Sequence, residues 1–311
     1  MPGSPHRPLT MLLLSVATAL LAAAAQAETL NVRLLMSDST PAYQQFATTL
    51  KNGLAASKAD VNIIGSSTSD LGTLYRGKKI DLIVAAGTKA VESAIANTDT
   101  PVLGVMIPKI AYETLLEKWH PQQRPKINSA IYLDQPWDRQ LSFIRAALPR
   151  HSVVGLLYSP NTSIFLPRLP RGMSINAQSV RSPETLFATL EAVLDRSDVL
   201  LVIPDSEIYS SNNVRNILLT SYRMKVPLIG ISQAYVNAGA LGAIFSTPEQ
   251  LAKQTETTIA SFARQRLLPR PQYPSLFSIG LNQQVARSLN IPLDSPEAIH
   301  ERMSKAEEGM Q

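Results

Sequence analysis

Short, mostly apolar segments alternate with segments of helical periodicity along most of this chain, and that alternation limits the folds available to it. The clearest apolar segments are residues 81–85 (DLIVA) and 198–203 (DVLLVI), which are typical of buried strands. Helical spacing follows each of them, over residues 89–96 and 213–224. Repeated strand–helix units of this kind predict βαβ connections and parallel sheets in an α/β protein.

The strand–helix pattern occurs in two series, which predicts two similar α/β lobes. The chain is expected to cross between them near Tyr132, Leu241 and Gln272. The first lobe is predicted from residues 28–131 plus about 241–272, and the second from residues 132–240 plus about 273–292. Residues 293–311 are polar and charged and are predicted to form a C-terminal tail.

The N-terminal segment, residues 1–27, has the pattern of a secretory signal peptide. An apolar run over residues 11–25 ends in Ala25-Gln26-Ala27, the small-x-small site at which signal peptidase cleaves. A membrane anchor is the alternative, but the run is shorter than the roughly 20 residues that span a bilayer. The chain contains no cysteine, which excludes disulfides and a lipid-modified N-terminal cysteine. We therefore expect a freely diffusing periplasmic protein without a lipid anchor.

The residue patterns of most enzymes are missing from this sequence. None of the four histidines has a second histidine at the spacing of a metal site, and no Gly-x-Ser-x-Gly elbow occurs. Residues 72–78 have the Gly-x4-Gly-Lys spacing of a phosphate loop, but Lys79 stands where Ser or Thr would bind Mg²⁺. Lysine and arginine are scattered and form no basic stripe. We expect no enzymatic activity, no metal or other cofactor, and no nucleic-acid partner.

Small hydroxyl-bearing residues follow several predicted strands, where open parallel α/β sheets bind their ligands. The Gly87-Thr88 pair lies where a buried strand leads into a helix, so free N–H groups and the helix dipole favour an anion there. An ordinary threonine N-cap is the alternative. Asp205 and Ser206 hold a ligand amine or cap the following helix. The candidate ligand-binding residues are Ser37, Tyr43, Ser67, Gly87, Thr88, Tyr158, Asp205, Ser206 and Ser232.

Three parts of the sequence resemble the ABC transporter substrate-binding family, whose characterised members bind aromatic amino acids and related small solutes. The first part is DLIVAAGTKAV at residues 81–91, followed by TPVLGV at 100–105. The second is DVLLVIPDS at 198–206, followed by KVPLIG at 225–230. The third runs from GALGA at 239–243 through AKQT at 252–255 to FSIGLNQQVARSLNIP at 277–292. The resemblance covers most of residues 30–292.

The resemblance implies a fold, a function and a set of contacts. The fold is α/β, with two Rossmann-like lobes of parallel sheets, of the type I periplasmic-binding-protein kind, joined by three crossings. By position, Thr88 matches the family's carboxylate-binding threonine, Asp205 and Ser206 match its second-lobe polar contact, and residues 37–43 match a loop that encloses the ligand. The implied function is capture of a small solute, amino acid-like or another organic anion, for an inner-membrane ABC permease, by a monomer. A periplasmic sensory or accessory protein with a degenerate cleft, partnering a membrane receptor, is the alternative.

The sequence departs from this family between Tyr158 and Met173. The family has a full helix there, whereas this chain has only about fifteen residues, which include Pro160, Pro167 and Pro170. Proline at these positions excludes a regular helix. We therefore expect the second lobe to lack one covering helix and to expose part of its sheet.

Overall fold

A computed structural model describes residues 29–56, 61–67, 79–118, 128–162, 169 and 172–308, apart from the side chains of residues 64–67 and 307–308. The predicted signal peptide, His120 and most of the segment that resembles a phosphate loop lie outside these ranges. Within them, no helix combines the length and the apolar character needed to span a bilayer.

The first sheet has five parallel strands in the order β2-β1-β3-β4-β5. Every residue of its central strand β3 and of the neighbouring strand β4 is buried, as expected of a parallel sheet covered on both faces. The strands are β1 (Leu30–Met36), β2 (Val61–Ser67), β3 (Leu82–Ala86), β4 (Val102–Ile107) and β5 (Asn128–Tyr132).

The second sheet has six strands in the order β11-β10-β9-β8-β6-β7, all parallel except β11, which runs antiparallel to β10. The strands are β6 (Val153–Tyr158), β7 (Ser174–Ser179), β8 (Val199–Leu201), β9 (Leu228–Gly230), β10 (Gly242–Phe245) and β11 (Ser278–Leu281). Because β10 pairs with β9, residues 242–245 belong to the second lobe. The sequence analysis had placed them in the first lobe. The second crossing therefore lies at residues 246–247 instead of near Leu241.

Helices cover both faces of the first sheet. Phe46 of α1 and Ile259 of α8 share one buried cluster, while Val91 of α2 and Tyr112 of α3 belong to another on the opposite face. The helices of the described residues are α1 (Pro41–Ala56), α2 (Thr88–Asn97), α3 (Lys109–Lys118), α4 (Trp137–Ala147), α5 (Leu186–Leu194), α6 (Val214–Arg223), α7 (Gln233–Ala238), α8 (Pro248–Gln265), α9 (Gln283–Ser288) and α10 (Pro296–Glu308).

The C-terminal helix α10 replaces most of the predicted polar tail. Its Ile299 and Met303, four residues apart, are buried in the core of the second lobe. Arg302 also donates a hydrogen bond from Nε to the carbonyl oxygen of Ala146 at 3.1 Å. The tail prediction was wrong because two isolated apolar residues in a charged segment are enough to anchor one face of a helix.

The connection between β6 and β7 contains no helix in its described residues, 159–162, 169 and 172–173. Leu169 and Met173 pack against the core of the second lobe, and β7 is the edge strand of its sheet. Ile175 and Ala177 of β7 are partly buried against the same core. The described part of this connection therefore agrees with the departure that the prolines predicted.

Hydrogen bonds centred on Gln135 link the three crossings between the lobes. Gln135, whose side chain is buried in the first crossing, donates from Nε2 to Ser246 Oγ at 2.9 Å in the second crossing. Ser246 Oγ donates to the carbonyl oxygen of Leu276 at 2.6 Å in the third. Arg139 donates to Gln135 Oε1 at 2.7 Å and to the carbonyl oxygen of Pro274 at 2.8 Å. This network fixes how the three segments lie beside one another.

Candidate functional site

At the carboxyl end of the first sheet, β3 turns into α2 through Gly87, which has φ +86°. A Cβ atom placed on Gly87 would lie 2.2 Å from Tyr43 Oη and 2.5 Å from Ser37 Oγ, distances that no real contact allows. Glycine is required by both the positive φ and this close packing. The structure thereby brings together Ser37, Tyr43, Gly87 and Thr88, four of the predicted site residues.

The start of α2 has backbone donors without partners. Ser37 Oγ accepts a hydrogen bond from the N–H of Ala90 at 3.0 Å, and the carbonyl oxygen of Gly87 accepts one from Val91. Among the described residues, the N–H groups of Thr88 and Lys89 have no hydrogen-bond partner. Thr88 is exposed and is the first residue of α2, at the positive end of the helix dipole. The arrangement suits an anionic group with two or more acceptor oxygens.

Tyr43 presents a neutral phenol to the same place. Burial raises the pKa of Tyr43, the negative charge of Asp38 raises it further, and the hydrogen bond with Ser37 offsets part of the increase. Asp38 itself accepts a hydrogen bond from the N–H of Thr40 at 2.8 Å. Tyr43 therefore stays protonated at neutral pH and adds no negative charge beside the helix start.

In the second lobe, the buried carboxylate of Asp205 binds groups of its own lobe. Its Oδ2 accepts hydrogen bonds at 2.7 Å from the N–H of Ser159 and from Thr162 Oγ1. Its Oδ1 accepts from the N–H groups of Glu207 at 3.1 Å and Ile208 at 3.2 Å. Asp205 thus joins the loop after β6 to the turn after β8. The helix that the sequence led us to expect after Asp205 begins only at Val214.

The pKa of Asp205 reflects these contacts. Burial raises the pKa of this carboxyl, but the hydrogen bonds from Thr162, Ser159 and Ile208 outweigh burial and hold it below its usual range. The carboxylate is therefore ionised at neutral pH, and its charge is stabilised by donors within the lobe.

The remaining predicted residues lie at the carboxyl ends of their strands. Tyr158 ends β6 and is half-buried, and Ser206 follows Asp205 and is exposed. Ser232 is the N-cap of α7, and its hydroxyl makes no capping hydrogen bond. Ser67 ends β2, but its side chain lies outside the described residues. Their roles in binding stay predictions.

Several residues that organise the site had not been singled out as site residues from the sequence. Thr162 and Ser159 bind Asp205 from positions more than forty residues away in the chain. Gln135 and Arg139 link the crossings. The sequence signal for Ser159 and Thr162 is a pair of hydroxyl residues at i and i+3 directly after a strand. No local pattern indicates the roles of Gln135 and Arg139.

Comparison with known proteins places this chain in a family of binding proteins. The family model described as "ABC transporter substrate binding protein" matches residues 52–263, which is more than half of the chain. No curated protein matches the chain in sequence.

Three solved structures share the fold. A ligand-free, open substrate-binding protein with adhesive properties from Clostridium difficile is 16% identical, with a TM-score of 0.66 over 86% of this chain and 97% of that one. An ABC domain in complex with L-Trp from Streptococcus pneumonia is 18% identical, with a TM-score of 0.59 over 88% and 98%. A conserved domain protein from Vibrio cholerae is 17% identical, with a TM-score of 0.58 over 88% and 98%. Together with the two mostly parallel sheets, these structures confirm the predicted two-lobed, type I periplasmic-binding-protein fold.

Proposed function

Because this chain belongs to the ABC transporter substrate-binding protein family, we propose that it is the periplasmic binding component of an importer and captures a small organic anion between its lobes. The observation that carries this proposal is the start of α2. There, the N–H groups of Thr88 and Lys89 are without partners among the described residues, next to the exposed hydroxyl of Thr88. A carboxylate at this point would accept hydrogen bonds from both N–H groups and from the hydroxyl.

Binding at this place also explains how capture is coupled to delivery. The anion site belongs to the first lobe, while Tyr158, Ser206 and Ser232 stand at the corresponding edge of the second. A solute that contacts both edges binds the closed arrangement more tightly than the open one and shifts the population towards it. A membrane permease that recognises the closed form would then receive loaded protein.

The ligand class is a small carboxylate, with amino acid-like molecules and other organic anions as the first compounds to test. The structural relative from Streptococcus pneumonia was solved with L-Trp, which makes amino acids reasonable probes for this chain. Calorimetry of the mature protein against amino acids, short peptides and other organic anions tests the class. Binding tighter than millimolar to at least one carboxylate is the expected result.

Substitution of Thr88 tests the position. Thr88→Ala should weaken binding about tenfold or more, because a hydroxyl bonded to a charged acceptor contributes about 1.5–3 kcal/mol. Thr88→Ser keeps the hydroxyl and should be milder. Thr257→Ala is the matched control, since Thr257 is exposed on α8 and its hydroxyl donates to the carbonyl oxygen of Lys253 at 3.1 Å. A measurable affinity that Thr88→Ala leaves unchanged would place the solute elsewhere.

A sensory or accessory role is the second candidate, favoured by one feature of the second lobe. Its β6–β7 connection has no helix in its described residues, and Asp205 is occupied by its own lobe. In this role the fold is kept, the cleft binds no solute, and the partner is a membrane receptor. Absence of binding tighter than millimolar across the whole panel would favour it.

Export to the periplasm completes the proposal. The apolar run that ends in Ala25-Gln26-Ala27 supports cleavage after Ala27. Mass spectrometry of protein recovered from the periplasm should find Glu28 at the N-terminus. Retention of residues 1–27 on a cytoplasmic product would contradict it.

A further inference from the structure

The four hydrogen bonds to Asp205 use the acceptor capacity of its carboxylate. A carboxylate offers about four lone-pair positions. Ser159 and Thr162 fill two of them at Oδ2, and Glu207 and Ile208 fill two at Oδ1. The side chain is also only 4% exposed. A ligand ammonium would have to displace one of these donors and leave it unpaired in a buried place, which is unfavourable.

The other second-lobe groups at this edge are neutral or lie at its rim. Tyr158, Ser206 and Ser232 carry hydroxyls and no charge. Glu207 is exposed, and its Oε1 accepts a hydrogen bond from Asn161 Nδ2 at 2.7 Å. Within the described part of the second lobe, this end of the cleft therefore offers hydroxyls to a ligand but no buried carboxylate with an open acceptor position.

We infer, on the basis of the proposed function, that the solute is an organic carboxylate without an ammonium group. Its carboxylate binds at the start of α2, and its other end is neutral and meets hydroxyl groups of the second lobe. Asp205 is a positioning residue that holds the loop at residues 159–162 against the turn after β8. An ammonium enclosed between the lobes would lack a buried anionic partner, so a zwitterion is selected against.

Matched pairs of acids that differ only at the α-carbon test the inference. The pairs are L-phenylalanine with 3-phenylpropanoate and with 3-phenyllactate, and L-leucine with 4-methylpentanoate, titrated by calorimetry into the full mature chain. The acids without an ammonium should bind at least tenfold more tightly than the amino acids. Asp205→Asn should leave the ratio of the two affinities unchanged, even where it weakens both, because a positioning residue acts on all ligands alike.

An amino acid that binds tenfold more tightly than its partner would overturn the inference. If Asp205→Asn removed that preference, Asp205 would hold the ammonium. If Asp38→Asn removed it, the exposed carboxylate of Asp38 on the first lobe would do so instead. In both cases the proposed function would stand, since the carboxylate would still bind. Failure of every acid to bind below millimolar would instead reject the proposed function, and the inference with it.

Thr162→Val gives a second, independent readout. This change keeps the size of the side chain and removes one of the four donors, so one lone-pair position of Asp205 becomes open. The ratio of affinities should shift several-fold towards the amino acid. Thr189→Val is a control, because Thr189 of α5 donates from Oγ1 to the carbonyl oxygen of Thr185 and makes no hydrogen bond to Asp205. A ratio that Thr162→Val does not move would show that the occupancy of Asp205 does not set the selectivity.

Discussion

The two lobes are alike at the amino ends of their central strands and differ at the carboxyl ends. Asp81 and Asp198 stand at equivalent places before β3 and β8. Asp81 Oδ2 accepts a hydrogen bond from the N–H of Asn31 at 2.9 Å, and Asp198 Oδ2 accepts from Ser152 and Val153, each at 2.8 Å. Each acid therefore ties its strand to the neighbouring strand, and the two lobes share this solution.

The carboxyl ends of the same strands are built differently. After β3, Gly87 lets α2 begin with the N–H groups of Thr88 and Lys89 unpartnered among the described residues. After β8, Asp205 caps its own turn and also binds the loop after β6. The residues that follow each strand thus decide whether the nearby backbone donors stay available to a ligand or are satisfied inside the lobe.

Asp205→Ala should lower the stability of the folded protein more than any of the other substitutions. Four donors would lose their acceptor in a buried place, which should lower the free energy of unfolding by about 3–4 kcal/mol. Asp198→Ala is the control from the shared end of the strands, where the carboxylate and its donors are closer to solvent, and about 1–2 kcal/mol is expected there. Urea unfolding followed by circular dichroism measures both. Equal losses would mean that the contacts of Asp205 at the carboxyl ends stabilise the fold no more than those of Asp198 at the amino ends.

Gly87→Ala should come next and should damage the first lobe. The positive φ alone costs about 1–2 kcal/mol for a residue with a Cβ, and displacement of Tyr43 and Ser37 adds to it. Gly239→Ala is the matched control, because Gly239 has φ +119° and a Cβ there would meet nothing within 4 Å. The difference between the two losses isolates the packing of Tyr43 and Ser37 over the helix start. No difference between them would contradict the close packing.

Asp134 at the first crossing and Asp205 in the second lobe should make stability depend on pH with opposite signs. Burial raises the pKa of Asp134 to about 6, although its hydrogen bond from the N–H of Lys109 offsets part of the shift. The folded state then binds the proton more tightly than the unfolded state, so stability is present below about pH 4 and falls as pH rises through 6. For Asp205, whose pKa is lowered, stability is present above about pH 4 and is lost as pH falls.

Unfolding measured between pH 3 and 7.5 separates these two effects. Asp134→Asn should remove a decline in the free energy of unfolding on the order of 1–2 kcal/mol between pH 4 and 6. It should leave unchanged the loss of stability as pH falls below about 4. Asp205→Asn should make that loss at low pH smaller. If Asp134→Asn left the decline between pH 4 and 6 unchanged, the raised pKa of Asp134 would not be its source.

Gln135→Met should have the smallest effect on stability and should act between the lobes. It removes the bond to Ser246 and one of the bonds of Arg139, while Leu276 and Pro274 keep their donors, so a loss of about 1 kcal/mol is expected. Trp137, two residues away, reports the change by fluorescence in a Trp119→Phe background. Gln44→Met on the exposed face of α1 is the control. Fluorescence that differs no more than in that control would argue against a link between the crossings centred on Gln135.

Much of the fold follows from the sequence, because strand and helix periodicity is set within about ten residues. The strand expected at residues 81–85 is β3 (Leu82–Ala86), and the cluster of Ser37, Tyr43, Gly87 and Thr88 follows from parallel strands that end at one edge. The placement of β10 does not follow, because local apolar character does not say which sheet a strand joins. Helix α10 was missed because only two of its residues reach the core.

The sequence by itself determined the strand–helix units, the two lobes, the prolines that interrupt the connection after β6 and the glycine at the start of α2. Each depends on neighbouring residues: on their apolar spacing, or on the backbone freedom of glycine and the constraint of proline. Only the tertiary structure decided that the carboxylate of Asp205 is occupied, because Thr162 and Ser159 reach it from 43 and 46 residues away. Whether a polar side chain is open to a ligand depends on which donors the fold brings to it, and no local pattern records that.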